Sequence, residues 1–478
     1  MVPFERGQVM DICKGDKEIA KSFSLLLDFI EQLENEVKEL KRQLNSNSKN
    51  SSKPPSSDGY RKLKSLRQTN GKLGAPPGHK GNNLHFIDTP DYIITHEIKT
   101  CCDCQRPLDD ITPTYNARQV YDLPEIKLEV TEHRVESKIC PDCGQVNRAD
   151  YPNGVNAHTQ YGERVKAYVT YMNVQHHMPL DRLQEMTNDL MGHDISQTTI
   201  LNHLDTMYDK SLEIEESIKE DLLGSPCIHG DESSLRVGAE TYWVHSASDS
   251  RSTLYGVNKS RGSSAIDEIG LLPAYTGVLS HDCYSMYFQS KYSFEHALCG
   301  VHLLRDCQGI IDHDKQKWPV EMKSVLNDIR IEGKLAKHTD KPVTPDKIEK
   351  LSIRYDDIIK AGREETTHLV PIKAAVDGEK RKKGKPAQPK SVNLLNRFEK
   401  HKAAIFISLH NNHVPFDNNQ AERDIRMVKV KQNVSGSFRT EDGAKIFARI
   451  RGVVSTCRKR GLNILETLTA ISKGEFIL

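Results

Sequence analysis

Three consecutive β-like runs, CIHGDESSLRV (227–237), TYWVHSASDS (241–250) and STLYGVNKS (252–260), are separated by turn residues. They are followed by a helical stretch, SSAIDEIGLLP (263–273), and a fourth strand-like run, YTGVLSHDCY (275–284). β-branched and aromatic residues bounded by Gly, Asp and Ser read as short strands. Strands joined by short turns, then a helix and a returning strand, commit this stretch to one α/β layer that starts near Pro226. Asp231 falls on the first strand and Asp282 at the end of the fourth, where such a layer makes them neighbours.

Three motifs carry acidic residues that this arrangement brings into play: HGDESSLRV (His229 to Val237), LSHDCYSMY (Leu279 to Tyr287) and DNNQAERDIR (Asp417 to Arg426). Their acids are Asp231, Asp282 and Glu422. Of 478 residues, 66 are Asp or Glu, so any one acid alone is more often solvated surface than chemistry. Three gathered carboxylates repel unless hard cations sit between them. Mg²⁺ (or Mn²⁺) takes oxygen ligands and keeps waters, and a pair of such ions suits in-line displacement at phosphorus. Glu232 points the other way on the strand and is not expected to be a ligand. Glu422 lies 140 positions beyond Asp282 (422 − 282), which implies a largely helical insertion from about 308 to 410, broken by a basic Gly/Pro run from Gly378 to Lys390. On a helix starting near Asn418, Glu422 faces Arg426 and Lys429 at i+4 and i+7, with Arg423 beside them, so cations able to clamp a phosphate adjoin the acid.

The remaining chain reads as accessory units. Phe23, Leu26, Ile30, Leu33, Val37, Leu40 and Leu44 alternate in steps of three and four, the seam of a short coiled coil that favours a homo-oligomer. A Ser/Asn/Pro-rich linker follows from Asn45 to Lys62 and continues into NGKLGAPPGHKG (70–81). Arg61, Lys62, Lys64, Arg67, Lys72, His79 and Lys80 there are candidate DNA contacts, since concentrated positive charge neutralises phosphates. Cys101, Cys104, Cys140 and Cys143 stand as two Cys-x-x-Cys knuckles, the spacing of a structural Cys₄ site for Zn²⁺, with Cys102 a bystander. Strand character in RQVYDLP and KLEVTEHRV is expected to bring the knuckles together. Residues 162–221 read as a helical connector, with Ser196 a helix cap and His176 and His177 surface or core histidines. In HALCGVHLLRDC (296–307), steps of three place His296, Cys299 and His302 near one helical face, where a structural or DNA-facing role outweighs metal binding.

Net charge is +1, and no run of 18 or more apolar residues exists, so no membrane span is expected. No secretory signal is visible and the cysteine usage is not that of a disulfide scaffold, so the expected location is cytoplasmic.

The motifs DE-S-S-L-R-V, H-D-C-Y-S-M-Y and D-N-N-Q-A-E-R-D-I-R resemble those of the insertion sequence 66 family of bacterial transposases, of the DDE class. The resemblance extends to the amino-terminal helix, the basic Gly/Pro segment, the double Cys-x-x-Cys and the His-x-x-Cys-x-x-His patch. It implies a multidomain α+β chain: coiled-coil helix 1–45, basic linker 46–95, zinc-binding module 96–150, helical connector 160–224, a ribonuclease H-like α/β catalytic core at 225–307 and 411–478, and a helical insertion at 308–410. It further implies metal-dependent cleavage at transposon ends and strand transfer into target DNA, with Asp231, Asp282 and Glu422 as the acids and Asn418, Asn419, Arg423 and Arg426 matching the family pattern. DNA bearing terminal inverted repeats, target DNA and element-encoded helper proteins are the implied partners. A nuclease that cuts without joining, and a catalytically inert zinc-ribbon DNA-binding regulator, are the competing readings.

Overall fold

The computed structural model describes residues 17–51, 81, 84–369 and 388–478. Arg61, Lys62, Lys64, Arg67, Lys72, His79 and Lys80 lie outside the described residues, as does most of the basic run 378–390.

The chain begins with one long helix, α1 (Lys17–Asn45). Its seam residues Leu26, Leu33, Val37, Leu40 and Leu44 are exposed, whereas Leu27 on another face is buried. The segment 46–51, expected to be linker, folds back: Ser46 Oγ donates to Arg42 O (2.6 Å) and Asn50 is buried.

Between residues 84 and 160 the backbone is extended and exposed, interrupted by two strands, β1 (Ser137–Ile139) and β2 (Val146–Arg148), paired antiparallel. The strands expected at RQVYDLP (118–124) and KLEVTEHRV (127–135) are not formed. Val120, Leu123, Ile126 and Val130 are exposed there, and apolar residues specify a strand only where a face is covered. What ties this stretch down is side-chain bonding: Gln119 bonds both the N–H (2.7 Å) and the carbonyl (2.6 Å) of Ile87, and Tyr121 donates to His85 O (2.5 Å).

The connector is helical but not continuous. It comprises α2 (Glu163–Thr170), α3 (Leu180–Met191), α4 (Gln197–Lys210) and α5 (Leu212–Leu223). After α2 the helix widens into a π-turn at Tyr171–Gln175, and His177 then takes a left-handed φ of 57° before Pro179 opens α3. Pro disfavours helical geometry in the residue before it and breaks the run that periodicity alone would extend. Ser196 caps α4 as expected, accepting from Thr199 N–H at 3.2 Å.

The expected strand–strand–strand–helix–strand sequence is present: β3 (Cys227–Val237), β4 (Glu240–Ser248), β5 (Thr253–Asn258), α6 (Ser263–Ile269) and β6 (Val278–His281), joined by β7 (Glu295–Leu298). The sheet order is β5-β4-β3-β6-β7; the β3–β4 and β4–β5 pairs are antiparallel, the β3–β6 and β6–β7 pairs parallel. The insertion comprises α7 (Gly300–Asp314), α8 (Trp318–Thr339), α9 (Pro345–Thr366), α10 (Lys390–Lys400) and α11 (Lys402–His410). The chain then returns through α12 (Asn419–Ser435), α13 (Glu441–Lys459) and α14 (Ile464–Lys473).

Two large hydrophobic cores organise these elements. One unites the connector helices, the sheet and α12–α14, through Leu183, Ile218, Ile228, Tyr255, Val428 and Ile450 among others. The other lies within the insertion around Trp318, Tyr355 and Phe398, whose rings meet edge to face at centroid distances of 6.1 and 5.9 Å. The connector therefore shares its core with the sheet, while the insertion carries its own. Among the described residues no helix is long and apolar enough to cross a membrane.

Candidate active site

The sheet register brings the first two acids together. The β3–β6 pairing runs Cys227↔Val278, Ile228↔Leu279, His229↔Ser280. Two residues further along each chain come Asp231 and Asp282, on the same edge of the pair. Asp231 Oδ1 accepts the Glu232 N–H at 2.9 Å, and Asp282 Oδ1 accepts the Tyr284 N–H at 2.9 Å, a side-chain turn that fixes the carboxylate as the strand ends. Burial, then the charges of Glu232, Asp282 and Glu422, push the Asp231 carboxyl well above the ordinary range; the bond from Glu232 N–H opposes them. Burial and neighbouring negative charge both favour the neutral carboxyl, and a cation bound beside it would oppose both.

The third acid arrives on α12, whose start is anchored to β3 by Asn418. Asn418 Nδ2 donates to Gly230 O (2.8 Å), so its Oδ1 is the acceptor for His229 Nδ1 (2.8 Å). Glu422 lies in the first turn of α12, where an acid also complements the helix dipole. The expected Glu422–Arg426–Lys429 face is not how the side chains settle. Glu422 Oε1 faces His302 Nδ1 at 3.7 Å, while the Lys429 amine donates to the Ser234 carbonyl on β3. Burial lowers the Lys429 pKa. Arg423 bonds Gln420 (2.7 Å) and Arg426 is exposed.

Glu232, set aside as pointing away, has a structural part that spacing did not reveal. Its side chain is 2% exposed and is held by Arg261 (Nη2 2.7 Å, Nε 3.1 Å) and the Tyr287 hydroxyl (2.9 Å). Burial, then Asp282, raise the Glu232 pKa against these partners. The Arg261 guanidinium lies over the rings of Tyr284 (4.0 Å) and Trp243 (4.8 Å), so one cation joins the loop after Asp282 to the strand carrying Asp231. No local motif announces such a contact, because its members come from β3, β4, the β5–α6 loop and the segment after β6.

His296, Cys299 and His302 are not on one helical face. His296 is on β7, Cys299 is the residue before α7 and His302 is inside it. His296 Nδ1 lies 3.0 Å from His281 Nε2, whose Nδ1 in turn donates to the Asp282 carbonyl. Cys299 Sγ accepts the Asn418 N–H at 3.2 Å, which ties the β7–α7 joint to the start of α12.

The four expected zinc ligands sit in two matching turns. Cys101 N–H donates to Arg106 O (2.9 Å) and Gln105 N–H to Cys101 O (3.1 Å); Cys140 N–H donates to Gln145 O (2.9 Å) and Gly144 N–H to Cys140 O (2.9 Å). Gln105 and Gly144 occupy equivalent positions with φ of 59° and 71°. Backbone N–H groups of Cys104 and Asp103 lower the Cys101 thiol pKa, and those of Cys143 and Asp142 lower that of Cys140. No three of these four sulfurs converge on a common point among the described residues.

The profile of the transposase IS66 family matches residues 158–446, well over half of the chain. The chain belongs to the IS66 family of transposases. The matched span of this transposase runs from before the connector helices through the sheet, the insertion and α12, and so includes Asp231, Asp282, Cys299, His302 and Glu422. A second profile, a family of unknown function (DUF6444), matches residues 13–85, which include α1. No curated protein matches the chain.

Proposed function

We propose that this transposase cleaves DNA at transposon ends and joins them to target DNA by a DDE mechanism, with Asp231, Asp282 and Glu422 as the catalytic acids. The observation that carries this reading is the β3–β6 pairing, which sets Asp231, within β3, beside Asp282, just past the end of β6, with Glu422 near enough to raise the proton affinity of Asp231. The strand order β5-β4-β3-β6-β7, with only the first two pairs antiparallel, supports a ribonuclease H-like core at 225–307 and 411–478, interrupted by the 308–410 helices.

The three carboxylates would hold Mg²⁺ or Mn²⁺, which supplies charge stabilisation for an in-line displacement at phosphorus. The chain's own part is positional. The Asx-type turn aims Asp282, the Asn418 anchor sets the start of α12, and the Arg261–Glu232–Tyr287 contact holds β3 to the segment after β6. Exposed Arg423 and Arg426, which follow Glu422 on α12, are the proposed contacts to a phosphate backbone entering the site. Zn²⁺ at Cys101, Cys104, Cys140 and Cys143 would draw the two preformed turns together and supply folding energy to the 96–150 module. DNA ends, target DNA, element-encoded helpers and a second copy of the chain through α1 are the proposed partners, and cytoplasm the proposed location.

The test is strand transfer by the purified chain with Mg²⁺ or Mn²⁺ on a duplex carrying the element's end. Asp231→Asn, Asp282→Asn and Glu422→Gln each lose joined product by more than about 100-fold, since even residues supporting a metal ligand cost 10–100-fold when removed. End binding by gel shift stays near wild type. Full joining activity in Asp282→Asn sinks the DDE reading, and cleavage without joining in the wild type makes the protein a nuclease.

A further inference from the structure

The DDE acids do not use up the chemistry around Glu422. Cys299 Sγ, a His302 ring nitrogen and a Glu422 oxygen all lie within 4.8 Å of one another, the one group of three such ligand atoms among the described residues, and His302 Nδ1 lies 3.7 Å from Glu422 Oε1. Two of these atoms, His302 Nδ1 and Glu422 Oε1, are buried without a hydrogen-bond partner. An unpartnered buried nitrogen and an unpartnered buried carboxylate oxygen side by side are costly as they stand and call for something between them. Their 3.7 Å separation is too long for a hydrogen bond. It is close to the ~3.5 Å between two ligand atoms on a tetrahedral ion bound at about 2.0–2.3 Å.

We infer that Cys299, His302 and Glu422 form a binding site for a borderline-soft divalent cation of the zinc class, separate from the magnesium-class ions proposed for the acids. The donor set decides the class. A thiolate with an imidazole and a carboxylate suits zinc and excludes magnesium, which takes oxygen ligands in octahedral geometry. The Asn418 N–H directed at the Cys299 sulfur is the kind of outer-shell bond that steadies a bound thiolate. Three protein ligands leave a fourth position open. The fold supplies the site from two directions, since Cys299 and His302 lie where β7 passes into α7 and Glu422 comes from the first turn of α12. Bound there, the ion clamps the insertion's first helix to the helix carrying the third acid and fixes where Glu422 stands. Because a carboxylate has two oxygens, this use of Glu422 is compatible with the proposed catalytic one, and the inference rests on its placement alone.

The measurement is zinc content of the full-length chain after zinc loading and exhaustive dialysis, by mass spectrometry, with absorption of the Co²⁺-substituted protein as a second readout. Cys299→Ser and His302→Gln each retain one equivalent fewer than wild type and lose part of the thiolate-to-cobalt charge-transfer band. Cys143→Ser, in the other motif, leaves this equivalent in place. His302 is partly exposed, so His302→Gln keeps the test valid where the buried Cys299→Ser fails to fold, with circular dichroism checking both. Asp282→Asn keeps the ion whether or not it joins DNA, so loss of joining tests the DDE reading and the ion count tests this one. Equal zinc content and an unchanged cobalt spectrum in wild type and His302→Gln overturn the inference, and so does loss of this ion in Asp282→Asn.

Discussion

Arg261 ties the strand carrying Asp231 to the segment that follows Asp282, through Glu232 and the ring of Tyr284. Its partner Glu232 is buried, and removing the guanidinium leaves a buried carboxyl with the Tyr287 hydroxyl as its remaining side-chain hydrogen bond among the described residues. Arg261→Ala is therefore expected to destabilise the chain by roughly 1–3 kcal/mol, read as a shift in the denaturant midpoint. Combining it with Glu232→Gln recovers part of that loss, because the double variant no longer buries an unpaired charge. An Arg261→Ala chain as stable as wild type would remove Glu232 from the account. Asp231, Asp282 and Glu422 were legible as acids in distinctive motifs, and Asp231, on the first strand, and Asp282, at the end of the fourth, as neighbours. Glu232 was not, because strand alternation says which face a side chain takes and not what waits there.

Among the elements, α1 keeps Leu26, Leu33, Val37, Leu40 and Leu44 exposed, while its C-terminal end is docked on α7: Arg42 and Lys38 reach Asp314 (3.3 Å each), and Asn50 Nδ2 donates to Asp312 (3.2 Å). Gly309 permits the approach, since a Cβ there would fall 2.4 Å from the Asn50 carbonyl oxygen. Gly309→Ala is expected to undock the 46–51 segment, seen as faster hydrogen exchange at its amides with the insertion core unchanged; unchanged exchange would show that the contact holds nothing. The seam was readable from its spacing, and the dock was not, because Gly309 and Asp314 are more than 250 positions from the residues they meet. The first helical run expected in the connector, through Pro179, is split for a local reason, the proline with left-handed His177 two residues before it.

At the scale of the whole molecule, His177 lies where the connector meets α13, buried with its ring 5.9 Å from that of Phe447. Burial, with Arg451 and Lys431 nearby, lowers its pKa to about 4. An unfolded histidine titrates near 6.5. Between about pH 6.5 and 4 the unfolded chain therefore takes up a proton that the folded chain refuses, and stability falls as pH falls. His177→Asn, which tolerates the left-handed backbone, is expected to reduce the stability difference between pH 7 and pH 5 by about 2 kcal/mol, measured as denaturant midpoints at the two pH values; parallel pH profiles would exclude His177 as the sensor. The coiled-coil proposal belongs at this scale too. Leu33→Lys with Leu40→Lys is expected to lower the sedimentation coefficient of a self-associating chain without changing its thermal stability, and identical sedimentation would refute pairing through α1. What the sequence by itself determined is whatever rests on local periodicity and short spacing: the strands and helices of the sheet, the insertion helices, the knuckle turns, the cap at Ser196. Only the tertiary structure decided which side chains meet across those elements. It drew Cys299 and His302 to Glu422, Glu232 to Arg261, and Lys429 away from the phosphate-facing role. The reason is physical: such contacts are set by how layers pack, across 29 positions for Glu232 and Arg261 and across more than a hundred for the others, and one-dimensional spacing carries no record of that packing.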